Sequence, residues 1–353
     1  MAALASVTRP RPPSRHRRLR PAGRRRLVTP RMRRTGSDEG ASLPREPGEP
    51  RGYNEPLCPL EDEDDLARYK GLSSYLERYR EFTGLFEDEA DWRRKGHLIV
   101  IAGDTGYGKT SLQQRCAYHL RHYYGEDGAR EVCVIDLSND PVDGDAENVL
   151  DHFRAQVMRN LGRYVRAEDL QDLKKDPDLV SAFQALDDHL RGRGQSGNKP
   201  HEKPVSLVVL LPQYPSVEEL KQYCKVLQKG MVFIAEEFRP EIIERLNEEL
   251  KSRERVFSRR EIAVRVLELD GLTRSDANLL IEGMEEYVNN CPDLRGPGFM
   301  DYVNQRFSQN KELSVREFTN ALECVVDDAL KKGDSEIAYK HVYEYFLGNS
   351  ARS

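Results

Sequence analysis

One octet decides the fold of this chain: Gly103-Asp104-Thr105-Gly106-Tyr107-Gly108-Lys109-Thr110. It fits the pattern GxxxxGK[ST], a glycine-rich loop whose backbone cradles phosphate groups. The apolar run 97–102 before it predicts a strand, and the segment after it has apolar residues at helical spacing up to Gly125. A strand, the loop and a helix in this order are the context that the motif requires. The octet is therefore predicted to be a nucleotide-binding P-loop.

The residue types of the octet explain how it would hold a nucleotide. Glycines let backbone N–H groups turn inward and approach a phosphate, and the helix N-terminus adds a favourable dipole. Lys109 is expected between the β- and γ-phosphates, and the Thr110 hydroxyl is expected to ligate Mg²⁺, so ATP and Mg²⁺ are the predicted cofactors. The predicted cofactor-binding residues are Gly103, Asp104, Thr105, Gly106, Tyr107, Gly108, Lys109, Thr110 and Ser111.

Composition excludes several classes of protein. The chain has 353 residues with a net charge of −5, and its six cysteines form no CxxC pair and no cluster with histidine at zinc spacing. No apolar run approaches the roughly 18–20 residues that cross a bilayer. These features predict a soluble, cytoplasmic protein that neither contacts a membrane nor depends on disulfides or zinc.

Residues 1–52 are predicted to be a disordered leader. Residues 1–36 contain twelve Arg and no Asp or Glu, which leaves the rest of the chain acidic. Prolines and the lack of apolar periodicity argue against folding. Three interpretations remain open: a plain disordered leader (or translated upstream sequence, with the true start near Met32), a basic arm that touches nucleic acid, or a targeting peptide.

The rest of the chain alternates strands with helices, which indicates an α/β fold with a parallel sheet covered on both faces. A helix is predicted over Leu66–Phe86. The predicted strands are Leu98–Ala102, Val132–Ile135, Val205–Leu211, Met231–Ala235 and Ile262–Leu267, and four helices follow at Asp276–Tyr287, Gly298–Phe307, Val315–Lys332 and Ile337–Phe346. We therefore predict a P-loop domain over 53–270 and a small all-α lid over 271–350.

This arrangement resembles the AAA+ and related STAND classes of P-loop ATPases, over roughly residues 53–346. Besides the P-loop, Leu267–Ala277 is similar to the junction that opens such lids, and Ser314–Phe318 to the start of the lid helix that carries the sensor-2 arginine. The resemblance implies that Arg316 reaches back to the γ-phosphate and reports the nucleotide state to the lid. The alternative is that Arg316 begins a solvated helix.

The third strand departs from the family pattern. The family ends this strand with two acidic residues, one for the Mg²⁺ shell and one that orients the attacking water. Here Pro212 and Gln213 stand in those places, and Gln213 is a far weaker base than glutamate. The resemblance therefore implies a chain that binds ATP and hydrolyses it slowly or not at all.

Two other places could supply the missing carboxylate. Asp136 ends an apolar run like a Walker B strand, although its early position predicts the second strand, away from the metal. Glu236 or Glu237 follows the fourth strand, where the family places its sensor-1 residue. Each could instead be an exposed carboxylate at a strand end.

Three functions remain open at this stage. The first is an ATP-dependent switch or weak ATPase that works through a protein partner or a homo-oligomer. The second is a competent ATP hydrolase that uses Asp136 or Glu236, and the third is a small-molecule P-loop kinase with Asp136 near its substrate. The basic stretch Lys251–Arg260 is a candidate arginine finger or a solvated face, and Tyr53–Pro56 is a candidate adenine contact.

Overall fold

The computed structural model describes residues 53, 55–88, 92, 94–126, 131–139, 146–176, 178–191, 204–213, 215–246, 248, 262–308 and 313–350. The predicted leader 1–52 and the candidate finger Lys251–Arg260 lie outside them, as does most of the loop before the third strand. No helix in this part of the chain is long and apolar enough to cross a membrane.

A parallel sheet forms the centre of the fold, with the strand order β2-β3-β4-β1-β5. The strands are β1 (Gly96–Ala102), β2 (Glu131–Asp136), β3 (Val205–Leu210), β4 (Met231–Glu237) and β5 (Ile262–Glu268). The predicted α/β P-loop fold is confirmed, and all five predicted strands are present with boundaries that differ by one or two residues. β4 lies between β1 and β3, so the end of β3 is two strands from the P-loop.

Helices connect the strands and follow the sheet. Before and within the sheet region they are η1 (Glu63–Arg68, a 3-10 helix), α1 (Ser73–Gly84), α2 (Lys109–Glu126), α3 (Ala146–Asn160), η2 (Leu161–Arg163, a 3-10 turn), α4 (Ala167–Lys175), α5 (Leu179–Leu190) and α6 (Val217–Val226). After β5 they are α7 (Arg274–Tyr287), α8 (Pro297–Ser308), α9 (Val315–Lys332) and α10 (Tyr339–Ser350). The last four match the predicted lid helices closely.

The predicted helix Leu66–Phe86 is wrong as a single element. The Asp62 side chain accepts a hydrogen bond from Asp64 N and begins the short helix η1, which ends at Arg68. Leu72, extended at φ −57° and ψ 135°, precedes α1. Gly71 lies in the break, and glycine is a poor helix former. The break separates two helices that contact different parts of the molecule.

Side chains on the strands alternate between two cores, as the two-residue period of a strand requires. On β4, Val232 and Ile234 join one core together with the apolar side of α2 and with Tyr75 of α1. Phe233 and Ala235 join the other core, beneath α3 and α6. This alternation places neighbouring residues at the end of β4 on opposite faces of the sheet.

The helices after β5 pack around a third core, built from residues between Leu272 and Val342. Phe299, Phe318 and Leu322 are fully buried in it. These helices form the lid expected from the sequence, and residues 51–353 make one compact unit. The domain boundary near residue 270 stays a prediction.

The root of the lid is tied to α1 by one buried carboxylate. Asp276 Oδ1 accepts hydrogen bonds from the backbone N–H (2.7 Å) and hydroxyl (3.0 Å) of Ser73. Its Oδ2 accepts from the backbone N–H (2.9 Å) and hydroxyl (2.6 Å) of Thr273, the N-cap of α7. Burial raises the pKa of Asp276, but the hydrogen bonds from Thr273 and Ser73 outweigh it, so the pKa lies below its ordinary value.

We expect Asp276→Asn to destabilise the protein by about 1–3 kcal/mol at neutral pH, because an amide nitrogen would face donors that need an acceptor. Because the pKa of Asp276 is lowered in the folded state, its carboxylate contributes its full share to the free energy of unfolding above the pKa of an unfolded Asp. This contribution is lost as the pH falls through the lower folded pKa. Urea unfolding at neutral and acid pH measures this through Trp92, the single and fully buried tryptophan. A variant as stable as wild type at neutral pH would contradict this role.

Candidate functional site

A cleft lies where the P-loop, the segment before α1 and the lid meet. It encloses about 1020 Å³, including its part open to solvent. Its walls include P-loop residues from Thr105 to Ser111, Glu236 at the end of β4, and Arg316 at the start of α9. Aromatic and apolar side chains form another part of the lining, among them Tyr53, Leu57, Tyr69, Leu72, Tyr75 and Leu280. The charged residues Glu55, Arg68 and Lys70 also line the cleft. A pocket of this size that combines apolar surface with charged groups suits a small polar ligand.

The backbone of the P-loop requires its glycines. Gly103, Gly106 and Gly108 have φ angles of 143°, 86° and 91°, a region that residues with a side chain rarely adopt. A Cβ at Gly103 would lie 2.7 Å from Leu269 O, and one at Gly106 would lie 2.9 Å from Arg316 Cβ. The glycines thus allow both the turn and the close approach of β5 and the lid.

Lys109 is 5% exposed and its ammonium lies within the loop. Its Nζ donates to Gly103 O at 2.8 Å and to Asp104 O at 2.9 Å. Burial lowers the pKa of Lys109, while the nearby Glu236 carboxylate acts in the opposite direction. The lysine is thus a positive charge held by the loop that would surround a phosphate.

Glu236 is the carboxylate that the fold brings to the P-loop. The Thr110 hydroxyl donates to its Oε2 at 3.1 Å, and the side chain is only 2% exposed. Its other oxygen, Oε1, is buried with no hydrogen-bond partner among the described residues. Burial raises the pKa of Glu236 to about 7, although Thr110 and Lys109 act against this. The alternative of an exposed strand-end carboxylate is wrong for Glu236.

Glu237 faces away from the P-loop helix, as the alternation along β4 requires. It is fully buried and paired with Arg239, which donates from Nε at 2.8 Å and from Nη2 at 2.7 Å. It also accepts the backbone N–H groups of Phe238 and Arg239, each at 2.9 Å. Its charge is therefore satisfied within the fold.

The structure does not bring Asp136 or Gln213 into the cleft lining. Asp136 ends the edge strand β2 and accepts from Gln114 Nε2 at 2.7 Å, and from the backbone and hydroxyl of Ser138 at 2.9 Å and 2.6 Å. The Thr110 hydroxyl bonds Glu236, and the Asp136 carboxylate acts on Glu236 electrostatically by helping to raise its pKa. Asp136 as a metal ligand stays a prediction. Gln213 is exposed after β3.

The register of the strands places Glu236 beside the position on β3 where the family pattern has its first acid. Leu210 of β3 is level with Ile234 of β4, and Leu211 N donates to Ile234 O at 2.8 Å. Continuing this register brings Pro212 level with Glu236. The carboxylate is thus present at the same height of the sheet, one strand closer to β1.

Arg316 lies at the contact between lid and P-loop. Its backbone N–H donates to Gly106 O at 3.0 Å, and its exposed side chain lines the cleft. Ser314 caps this end of α9 through a hydrogen bond to Glu317 N. The first turn of α9, with its positive dipole end, therefore faces the loop that would hold the phosphates.

Sequence reasoning missed the tyrosines that hold the start of α2. The hydroxyls of Tyr69 and Tyr75 both donate to Ser111 O, at 2.7 Å and 3.2 Å. Arg115, one turn further along α2, lies under the Tyr69 ring at 4.8 Å and the Tyr79 ring at 4.0 Å. The spacing of these tyrosines within the predicted helix Leu66–Phe86 fits an apolar helix face, so the sequence gives no sign of their bonds to Ser111.

The sequence matches no protein-family model and no curated protein. Solved structures do match. The ORC2 protein of Aeropyrum pernix, in ADPNP–ADP complexes, is 13% identical with a TM-score of 0.51, covering 76% of this chain and 66% of its own. The ORC1 protein of Aeropyrum pernix in complex with DNA is 14% identical with a TM-score of 0.50, covering 78% and 65% respectively.

These likenesses show the fold. The chain has the AAA+ P-loop ATPase fold, a five-stranded parallel sheet with a helical lid, as the sequence predicted. It spans less than two thirds of the length of either structure, 66% and 65%.

We expect Glu236→Gln to make the nucleotide-free protein more stable at high pH. Because the folded pKa is raised to about 7, the wild type has its full stability below the pKa of an unfolded Glu and loses it as the pH rises to about 7. The free energy of unfolding of the variant should equal that of the wild type near pH 4.5 and exceed it by about 3 kcal/mol above pH 7. Urea unfolding across this pH range measures the difference. A difference that stays constant with pH would contradict a buried Glu236 carboxylate with a raised pKa.

Proposed function

We propose that this chain binds Mg-ATP in the cleft and acts as a nucleotide-dependent switch or weak ATPase. The observation that carries the proposal is the meeting of three groups in one cleft: the P-loop, the Glu236 carboxylate and the first turn of the lid helix α9. The nucleotides in the ORC2 structure of the same fold support this choice of ligand.

Thr110 and Glu236 fit Mg²⁺. Both offer oxygen, which this ion prefers, and Mg²⁺ commonly takes only one or two protein ligands besides phosphate and water. The buried Oε1 of Glu236 has no partner among the described residues, as expected of a group whose partner is a ligand. When bound, the ion neutralises phosphate charge. Lys109 and the loop N–H groups bind the phosphates, and Arg316 contributes a positive charge from the lid.

A switch follows from the two sides of the cleft. The P-loop belongs to the sheet domain, and Val315, Arg316 and Thr319 belong to lid helix α9. A ligand that contacts both sides favours the arrangement in which they are close, by as much as its affinity differs between open and closed states. The lid angle would then be read by a protein partner or by a second copy of the chain.

We also propose a cytoplasmic location. A basic arm that touches nucleic acid stays a prediction, since residues 1–52 lie outside the described part of the chain; the ORC1 structure of the same fold contains DNA. The kinase alternative stays a prediction; Asp136, its candidate acid, accepts hydrogen bonds from Gln114 and Ser138 and lies outside the cleft lining.

A competent hydrolase is the second candidate, and Glu236 favours it. A carboxylate beside the P-loop hydroxyl could take part in the metal shell or orient a water, whereas exposed Gln213 cannot act as a base. One carboxylate stands where the family uses two. We therefore expect slow turnover.

We expect Lys109→Ala to weaken Mg-ATP binding by about a hundredfold or more, because it removes the buried cation among the phosphate-binding groups. Calorimetry on the full chain measures the affinity. Lys331→Ala, an exposed lysine on the same lid helix as Arg316, is the matched control and should bind as wild type. Undetectable binding by the wild type would reject the proposed function, and equal binding by Lys109→Ala would reject the P-loop as its site.

Phosphate release separates the switch from the hydrolase. We expect wild-type turnover on the order of 0.01 s⁻¹ or slower, comparable with P-loop proteins that lack their full catalytic set. Glu236→Gln should abolish that residual activity, and Asp136→Asn, a matched carboxylate on β2, should leave it unchanged. Rapid turnover removed only by Asp136→Asn would contradict the assignment of Glu236.

A further inference from the structure

We propose that the chain just before α1 acts as a strap that ties the lid to the P-loop helix and slows nucleotide release, with Tyr53 as its anchor on the lid. The strap is defined by Tyr53, Glu55, Pro56 and Leu57. The proposal rests on the proposed ATP binding and adds a residue that controls how long the nucleotide stays.

One end of the strap is fixed to the start of α2. The backbone N–H of Leu57 donates to Ser111 Oγ at 3.0 Å. The carbonyl oxygen of Leu57 accepts a hydrogen bond from the Tyr69 hydroxyl at 3.2 Å, and the same hydroxyl also donates to Ser111 O. Ser111 directly follows the P-loop, so this end is held by the phosphate-binding helix itself.

The other end is fixed to the lid. The Tyr53 hydroxyl donates to Leu280 O on α7 at 2.7 Å, and its ring lies 5.6 Å from the ring of Tyr287. The backbone of Tyr53 also acts to lower the pKa of Glu323 on α9, against the larger effect of burial, which raises this pKa. Tyr53 thus contacts two lid helices and packs against the lid core.

The residues between these ends line the cleft. Glu55 and Pro56 are part of its wall, together with Tyr53 and Leu57. Tyr53, which contacts the lid, and Leu57, which contacts the P-loop helix, are only four positions apart in the sequence. A span this short cannot stretch far, because each residue extends at most about 3.6 Å. Wide opening of the lid must release Tyr53 or Leu57.

Gly283 on α7 makes room for the anchor. A Cβ there would lie 2.6 Å from the Tyr53 hydroxyl and 2.8 Å from Lys70 Cε. Its φ is not in the left-handed region, so alanine suits the helix itself. Gly283→Ala should therefore displace Tyr53 from Leu280 without weakening α7.

The experiment measures dissociation of radiolabelled Mg-ATP from the full chain after a chase with excess unlabelled ATP. We expect Tyr53→Ala and Gly283→Ala each to release the nucleotide about tenfold faster, which corresponds to loss of a hydrogen bond and ring packing. Tyr53→Phe, which keeps the ring and loses the hydroxyl, should fall between these variants and wild type.

Two controls match the chemistry of these changes. Tyr343→Ala removes a tyrosine that is 55% exposed and lies outside the cleft lining, and Gly84→Ala adds a methyl group in open space at the end of α1. Both should release ATP at the wild-type rate. Wild-type release rates in Tyr53→Ala and Gly283→Ala would overturn the strap and leave ATP binding standing. Wild-type protein that binds no ATP at equilibrium, before the chase, would overturn the strap and the proposed function together.

Discussion

The hydrogen bond between the Thr110 hydroxyl and the buried Glu236 carboxylate is the interaction on which the site depends. It exists because β4 lies next to β1, and because alternation along β4 points Glu236 to the same face as Val232 and Ile234, towards α2. The family pattern looks for this charge at the end of β3, where the chain has Pro212 and Gln213. The fold supplies the charge from the neighbouring strand instead.

A buried carboxylate is costly unless it is paired, and the two acidic residues at the end of β4 meet this constraint differently. Glu237 is neutralised by Arg239. Glu236 has one hydroxyl donor, and burial raises its pKa. Because Glu237 has a cationic partner and the adjacent Glu236 has only one hydroxyl donor, the presence of a buried carboxylate at position 236 is not explained by fold stability alone. A cation bound with nucleotide would relieve its desolvation, which couples ligand binding to the stability of the domain.

The P-loop, the parallel strands and the lid helices could be predicted from sequence because each rests on local patterns: a spaced motif, short β-branched runs and helical periodicity. Glu236 could not be separated from Glu237 because strand order and register are properties of the whole sheet. The division of Leu66–Phe86 into η1 and α1 rests on the local cap at Asp62 and on Gly71, signals that the apolar periodicity of the segment obscures. The contact of Tyr53 with Leu280 joins residues 227 positions apart, and no local pattern encodes such a contact.

The lid joins the sheet domain at Asp276, at Gly106 through Arg316, and at Tyr53 through Leu280, and two of these contacts lie at the cleft. The most direct test of the central claim is a crystal structure with Mg²⁺ and a non-hydrolysable ATP analogue. The account predicts the phosphates on the P-loop and the metal at Thr110, facing Glu236, with Asp136 still bonded to Gln114 and Ser138. A metal held by Asp136, or a P-loop that stays empty at saturating analogue, would contradict it.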